Sequence, residues 1–182
     1  MIVLMSAFLL LSAFSCGGGN KANSTSEQSE ETAVNVPQFD ADSAYLYVKN
    51  QVDFGPRVPN TKEHVACGNY LAGQLEAFGA QVTNQYADLI AYDGTLLKAR
   101  NIIGSYKPES KKRIALFAHW DTRPWADNDP DEKNHNTPIL GANDGASGVG
   151  ALLEIARLVN QQQPELGIDI ILLDAEDYGA PQ

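Results

Sequence analysis

The 182-residue sequence has only two cysteines, and only 13 Lys and Arg to set against 23 Asp and Glu, a formal charge of −10. Two cysteines cannot frame a disulfide-stapled fold, and Cys16 and Cys67 sit in contexts too different to expect a bond between them. The missing basic stripe excludes a nucleic-acid partner, because phosphate binding needs clustered Lys and Arg. No glycine loop leads into the Lys-Ser/Thr pair of a phosphate loop. Gly145, Gly148 and Gly150 follow a long loop rather than a strand, so they do not form a dinucleotide fingerprint either, and a nucleotide is not expected. There is no internal repeat. No apolar run is long enough to span a bilayer, the longest being residues 1–15. What remains is an acidic chain, 43% hydrophobic, with enough apolar residues to bury a core.

Residues 1–15, MIVLMSAFLLLSAFS, suit the core of a signal peptide, although no Lys or Arg precedes them. Ala13-Phe14-Ser15-Cys16 resembles a bacterial lipoprotein box, which would make Cys16 the site of lipid attachment. An ordinary cleaved signal or a short buried helix are the alternatives. The expectation is an exported lipoprotein, anchored to the membrane and facing the periplasm, with residues 1–16 as signal and cysteine. Residues 17–38, rich in Gly, Ser, Asn, Thr and Glu, have almost nothing to bury and read as a flexible tether. The folded domain is then 39–182.

Asp40 or Asp42 can cap a helix running to Val52, with Ala44, Tyr45, Val48 and Val52 on one face. A second helix follows the break at Phe54–Pro59. Asn60 is its expected cap, Glu63 lies three residues on, Leu71, Leu75 and Phe78 share a face, and Gly79 is the stop. Cys67 reads as a small buried hydrophobe. Residues 80–92 and 95–106 read as strands joined at Asp93-Gly94. Ile114–Ala118 is a short continuous apolar run, expected to be a strand buried on both faces. A loop over 120–142 and a helix over 145–162 lead to a second such strand, Ile168–Leu173. The helix turns Val149, Leu152, Leu153, Ala156 and Val159 inward. Strand, helix and parallel strand make a right-handed βαβ unit. The fold class expected is α/β, a three-layer αβα sandwich around a mixed, centrally parallel sheet. The final strand, 168–173, is expected to form an exposed apolar edge and to make the 182-residue chain poorly soluble.

Ligands of such sheets bind beyond the carboxyl ends of the strands. His119, Trp120 and Asp121 leave one strand there, and Asp174, Glu176 and Asp177 leave the other. Asn143 and Asp144 open the crossover helix on the same side. Taken singly, Asp144 could be a helix cap, His119 a hydrogen-bonded structural residue, and Glu176 and Asp177 a solvated turn. Taken together, carboxylates and one imidazole crowded at one edge repel unless a cation organises them. Nitrogen and oxygen donors without cysteine suggest zinc rather than magnesium or calcium.

His119-Trp120-Asp121, Gly141-Ala142-Asn143-Asp144-Gly145-Ala146-Ser147-Gly148 and Leu173-Asp174-Ala175-Glu176-Asp177 resemble family 28 of the zinc metallopeptidases. The loop His119 to Asp127, with Trp120 and Trp125, is more similar to the glutaminyl cyclases than to the aminopeptidases of that family. Phe54-Gly55-Pro56-Arg57 and Asn101-Ile102-Ile103-Gly104 fit as well, and the resemblance covers residues 39–182. It implies a single catalytic zinc with Asp144 and Asp177 as ligands, the latter being Glu in mammalian members. It implies a third, histidine ligand beyond Gln182, so that the chain is an N-terminal part of the domain. His119, Asp121, Trp120 and Trp125 would lie around the zinc or wall the substrate pocket, each Trp having plain core packing as its alternative. The implied reaction converts the N-terminal glutamine of peptides and proteins to pyroglutamate with loss of ammonia. Zinc would polarise the γ-carbonyl, and Glu176 would take the α-amine proton and pass it to the leaving nitrogen. A carboxyl doing both jobs is helped by acidic neighbours that raise its pKa. The rivals are a two-zinc aminopeptidase, with His119 as a ligand, and a lipid-anchored binding module without activity.

Overall fold

The element boundaries follow from local chemistry in a computed structural model that describes residues 35–181. Cys16, the signal segment and the tether up to residue 34 lie outside the described residues. Helix α1 (Ala41–Val52) starts where the Asp40 carboxylate accepts hydrogen bonds from the Asp42 and Ser43 N–H groups. Its inward residues are Tyr47, Val48 and the buried Gln51, while Tyr45, expected among them, is 73% exposed. The cause is Gly150 on a later helix. It brings that helix so close to Ala44 and Val48 that an added Cβ would lie 2.6 Å from the Val48 side chain. This contact line sets which face of α1 turns inward.

Helix α2 (Lys62–Ala77) is capped by Thr61, one residue later than expected. Asn60 has other work. In a left-handed conformation (φ +75°), its side chain donates to the Leu96 carbonyl and accepts from Lys98 N–H, both at 2.9 Å. It thus fastens the start of α2 to a strand. Gly79, at φ +79°, ends the helical segment.

Strands β1 (Gln81–Ile90) and β2 (Leu96–Tyr106) pair antiparallel, from Gln81 opposite Ser105 to Ile90 opposite Leu96. The turn closes with Ala91 N–H donating to Thr95 O, and Gly94 takes the left-handed position such a loop requires. Strands β3 (Arg113–His119) and β4 (Gly167–Leu173) run parallel, joined through helix α3 (Gly148–Gln161). The sheet order is β1-β2-β4-β3, a mixed sheet in an α/β fold.

Two expectations about exposure are corrected by this order. β4 is internal, because its other edge pairs antiparallel with Ile102–Tyr106 of β2. The edge beside β4 is β3, with β1 at the far edge of the sheet, and β3 is not buried on both faces: Ile114 is 47% and Phe117 59% exposed. The core lies on the face of β4 that carries Ile168, Ile170 and Leu172. These three meet Cys67, Leu71 and Leu75 of α2 and Val149, Leu152, Leu153, Ala156 and Val159 of α3 in one buried cluster. Truncating any one of the large aliphatics there would cost roughly 2–5 kcal/mol.

On the other side of β4, Asp169 ties three strands together. It accepts from Arg113 Nε at 2.7 Å and Nη2 at 2.5 Å, and from Ser105 Oγ at 2.6 Å. The guanidinium, then the hydroxyl, hold its carboxyl below the ordinary value of 3.8. A carboxyl lowered on folding stabilises above 3.8 and loses that contribution as pH falls through its folded value. Asp169→Asn is therefore expected to cost about 2 kcal/mol at neutral pH. The gap to wild type in urea midpoint should shrink steadily below pH 4, roughly the free-carboxylate value. Phe117→Lys on the β3 edge is expected to lower self-association of the 182-residue chain in light scattering without lowering its unfolding midpoint.

Candidate metal and catalytic site

The carboxyl ends of β3 and β4 lie side by side, and Trp120 N–H still donates to Leu173 O at 3.0 Å just past the last paired residues. Beyond them the chains diverge, and side chains take over. The Asp121 carboxylate is wholly buried and accepts from the backbone N–H of Glu176 at 3.3 Å and of Asp177 at 3.1 Å. His119 Nε2 is 2.9 Å from Asp144 Oδ1; its Nδ1 is 3.5 Å from Asp121 Oδ1 and 3.8 Å from Glu176 Oε2. All five acidic and imidazole groups expected at this edge are thus brought together.

Asp144 does not cap a helix. It sits in a wide turn, Ala142–Ser147, with extended backbone (φ −103°, ψ 102°), and its peptide bond to Gly145 is cis. The turn is pressed against β3: a Cβ on Gly145 would lie 2.4 Å from His119 O and under 3 Å from the imidazole. Two buried side chains hold it from behind. Gln51 of α1 donates to Ala146 O. Arg57 donates to Leu140 O at 2.5 Å, to Gly141 O at 2.9 Å and to Trp120 O at 3.3 Å. A guanidinium buried among carbonyls is tolerated because each of its three nitrogens donates to one.

The charges interact as their spacing requires. The Asp121 carboxylate first, helped by Glu176 and Asp144, pushes the His119 imidazole up to about 9, against the effect of burial. Burial first, then the charges of Asp144 and Asp121, pushes the Asp177 carboxyl up to about 6. Asp177 Oδ2 and His119 Nδ1 are buried with no hydrogen-bond partner among the described residues. An acceptor oxygen buried without a donor, beside further carboxylates, is chemically matched to a cation, so the donors fit zinc. Among the described residues no three His, Cys, Asp or Glu side chains are grouped to hold a metal ion.

Residues 101–180 match the model of peptidase family M28. A crystal structure of Bacteroides thetaiotaomicron glutaminyl cyclase bound to N-acetylhistamine superposes with a TM-score of 0.81 and 96% identity, covering 81% of this chain and 51% of its own. Over residues 101–180 the chain is similar to peptidase family M28.

Other solved structures that the chain matches carry different descriptions. A leucine aminopeptidase precursor from Bacteroides thetaiotaomicron shows the same identity, coverage and TM-score. A Zn-dependent exopeptidase from Parabacteroides distasonis is 66% identical, with a TM-score of 0.80, over 81% of this chain and 50% of its own. The chain spans about half the length of these structures and 23–30% of the curated relatives it matches.

The two tryptophans of the site's loop part company. Trp120 is fully buried, stacked on His64, with its Nε1 donating to Arg100 O. Trp125 is half-buried between Tyr92 and Tyr178 in edge-to-face contact, its Nε1 without a partner among the described residues. It lines a recess of about 280 Å³ with Arg123, Asp127, Ile139 and Asp144. Sequence reasoning missed Arg123. Its Nε and Nη2 donate to Asp127 at 2.7 and 2.6 Å, its Nη1 to Asp177 O at 3.3 Å, and it packs 5.6 Å from the Trp125 ring centre. The Arg123–Asp127 spacing was visible, but only the fold shows that the same guanidinium reaches the acidic turn. Gly141→Ala is expected to destabilise by at least about 2 kcal/mol in urea unfolding. The residue is left-handed at φ +56°, and the new Cβ would meet Asp144 O at 2.3 Å and Thr122 Cγ2 at 2.4 Å.

Proposed function

We propose that the protein carrying this chain cyclises the N-terminal glutamine of peptides and proteins to pyroglutamate, with Asp144 and Asp177 as zinc ligands and Glu176 as the proton carrier. The supporting observation is the division of labour imposed by Asp121. Its carboxylate seats both amides of the acidic pair, yet Glu176 keeps a side chain 61% exposed while that of Asp177 is 13% exposed. One carboxylate faces where a substrate would arrive, and the other is withdrawn beside Asp144. The near-identical glutaminyl cyclase supports cyclisation, and the half-buried aromatic group around Trp125 supports a pocket that excludes water.

Zinc held there would supply a Lewis acid for an amide carbonyl. The rest falls to the chain. The substrate α-amine forms the new C–N bond to its own γ-carbonyl carbon, the γ-amide C–N bond breaks, and ammonia leaves. Glu176 accepts the proton from the amine and returns it to the departing nitrogen. His119, held protonated by Asp121, fixes the Asp144 carboxylate through its 2.9 Å contact. We propose further that Cys16 carries a lipid that anchors the protein at the periplasmic side of a membrane. Support for this is the lipobox-like sequence alone, and metabolic labelling with a radiolabelled fatty acid, lost in Cys16→Ser, tests it.

The full-length protein is expected to release ammonia from a Gln-initiated peptide and to leave a Leu-initiated peptide intact; cleavage of the latter would establish the aminopeptidase instead. Glu176→Gln is expected to lower kcat by roughly 100-fold or more with zinc retained. Asp177→Asn should lose zinc in metal analysis.

A further inference from the structure

Asp174, between β4 and the acidic turn, carries a carboxylate with no access to solvent. Three donors from three parts of the chain meet it. Arg100 N–H of β2 donates to Oδ2 at 2.6 Å, Ala175 N–H to Oδ1 at 2.8 Å, and His64 Nε2 of α2 lies 2.9 Å from both oxygens. Asp174 N–H in turn donates to the Asn101 side chain at 2.9 Å. The next residue, Ala175, is left-handed at φ +61°, a conformation that residues with a Cβ rarely adopt. Its backbone leads directly to Glu176 and Asp177. Direction of the turn therefore depends on the anchored Asp174 carboxylate, and among the described residues the only side-chain donor on that carboxylate is an imidazole from a helix remote in sequence.

The same imidazole touches the other strand end. The His64 ring stacks on Trp120, with centres 4.3 Å apart and planes 19° from parallel. Trp120 stands between His119 and Asp121, and its indole is fixed by Arg100 O. The ring itself is located by the first turn of α2, where His64 N–H donates to the capping Thr61 hydroxyl. One side chain thus reaches β4's acidic turn by hydrogen bond and β3's His119–Asp121 segment by stacking. We infer that His64 is a positioning residue, which holds the turn bearing Glu176 and Asp177 in register with His119 and Asp121. The inference rests on the proposed roles of Glu176 and Asp177. It differs from a purely structural role in what it requires: loss of the imidazole N–H should loosen the turn and leave the sheet intact.

The test uses full-length protein with His64→Phe, which keeps a ring on Trp120 but removes the donor, and His64→Gln, which returns an N–H at similar reach. Amide hydrogen exchange is read at 174–177 and at 168–172, together with kcat and KM for a Gln-initiated peptide. In His64→Phe, exchange at 174–177 should rise at least about tenfold with 168–172 within about twofold. The kcat should fall about tenfold with KM little changed, and His64→Gln should recover most of both. Unchanged exchange at 174–177, or an even rise through β4, would overturn the inference. If His64→Phe does not fold, His64→Asn, whose amide falls short of Asp174, replaces it. Equal exchange in the Asn and Gln variants would then overturn the inference. Full activity in Glu176→Gln would overturn the functional reading alone, and the exchange comparison would still decide the role of His64.

Discussion

A carboxylate taken wholly out of water has to be met by donors, or it protonates or pulls its surroundings apart. At Asp121 the donors are the backbone N–H groups of Glu176 and Asp177, with the His119 imidazole close by. That arrangement makes the end of β3 and the turn after β4 a single unit. The parallel pairing of the strands brings the two ends near each other, but ladder hydrogen bonds cease just past Leu173. Further out, this one buried carboxylate ties the amides of Glu176 and Asp177 to the end of β3, and it favours the charged form of His119 beside Asp144.

The rest of the fold can be understood as what makes that unit reachable and rigid. Asp144 meets His119 only because the turn before α3 can press its backbone onto β3, and glycine at 145 leaves the room. The turn would not stay there unaided. Arg57 and Gln51, both buried, bind its carbonyls from the α1 side, and α1 is in turn seated on α3 across Gly150. Arg123 closes the opposite side by joining the Trp125 loop to the backbone of Asp177. Arg57 meets main-chain oxygens alone, whereas Arg123 also lies 3.7 Å from the Asp177 carboxylate and partly offsets its rise.

Much of this was legible in the sequence because it rests on periodicity and topology. The βαβ unit follows from two short apolar runs around an amphipathic helix, and once it is granted, His119, Asp121, Asp144, Glu176 and Asp177 have to share an edge. What failed was decided by partners that local sequence does not display. Asn60 looks like a helix cap, yet its side chain serves a strand 36 residues away. Tyr45 fits the helical stripe as well as Tyr47 does, and only the approach of Gly150 chooses between them. The edge of the sheet was misplaced because strand order is not sequence order: β2, an early strand, takes the free side of β4 and leaves β3 outermost. Trp120 and Trp125 look equivalent in the motif, but one lies over His64 in the core and the other beside the recess.

The electrostatic state of the site shows why such an arrangement is not simply a stable one. The shifts of His119 upward to about 9 and Asp177 upward to about 6 have partly the same origin, a concentration of carboxylates that favours binding of positive charge. For His119 the shift stabilises the fold below its folded value, because the imidazolium is better placed folded than unfolded. For Asp177 the sign reverses: an acid raised on folding withdraws stability as pH climbs from 3.8 toward 6, since the folded state resists ionising it. The burial that opposes ionisation is uneven: Asp177 Oδ2 has no hydrogen-bond partner among the described residues, while Oδ1 lies 3.7 Å from Arg123 Nη1. A divalent cation between Asp177 and Asp144 would convert that penalty into binding energy, and any ligand that prefers the folded state stabilises it by mass action. Desolvation and neighbouring carboxylates thus account both for the raised Asp177 carboxyl and for the cost of ionising it.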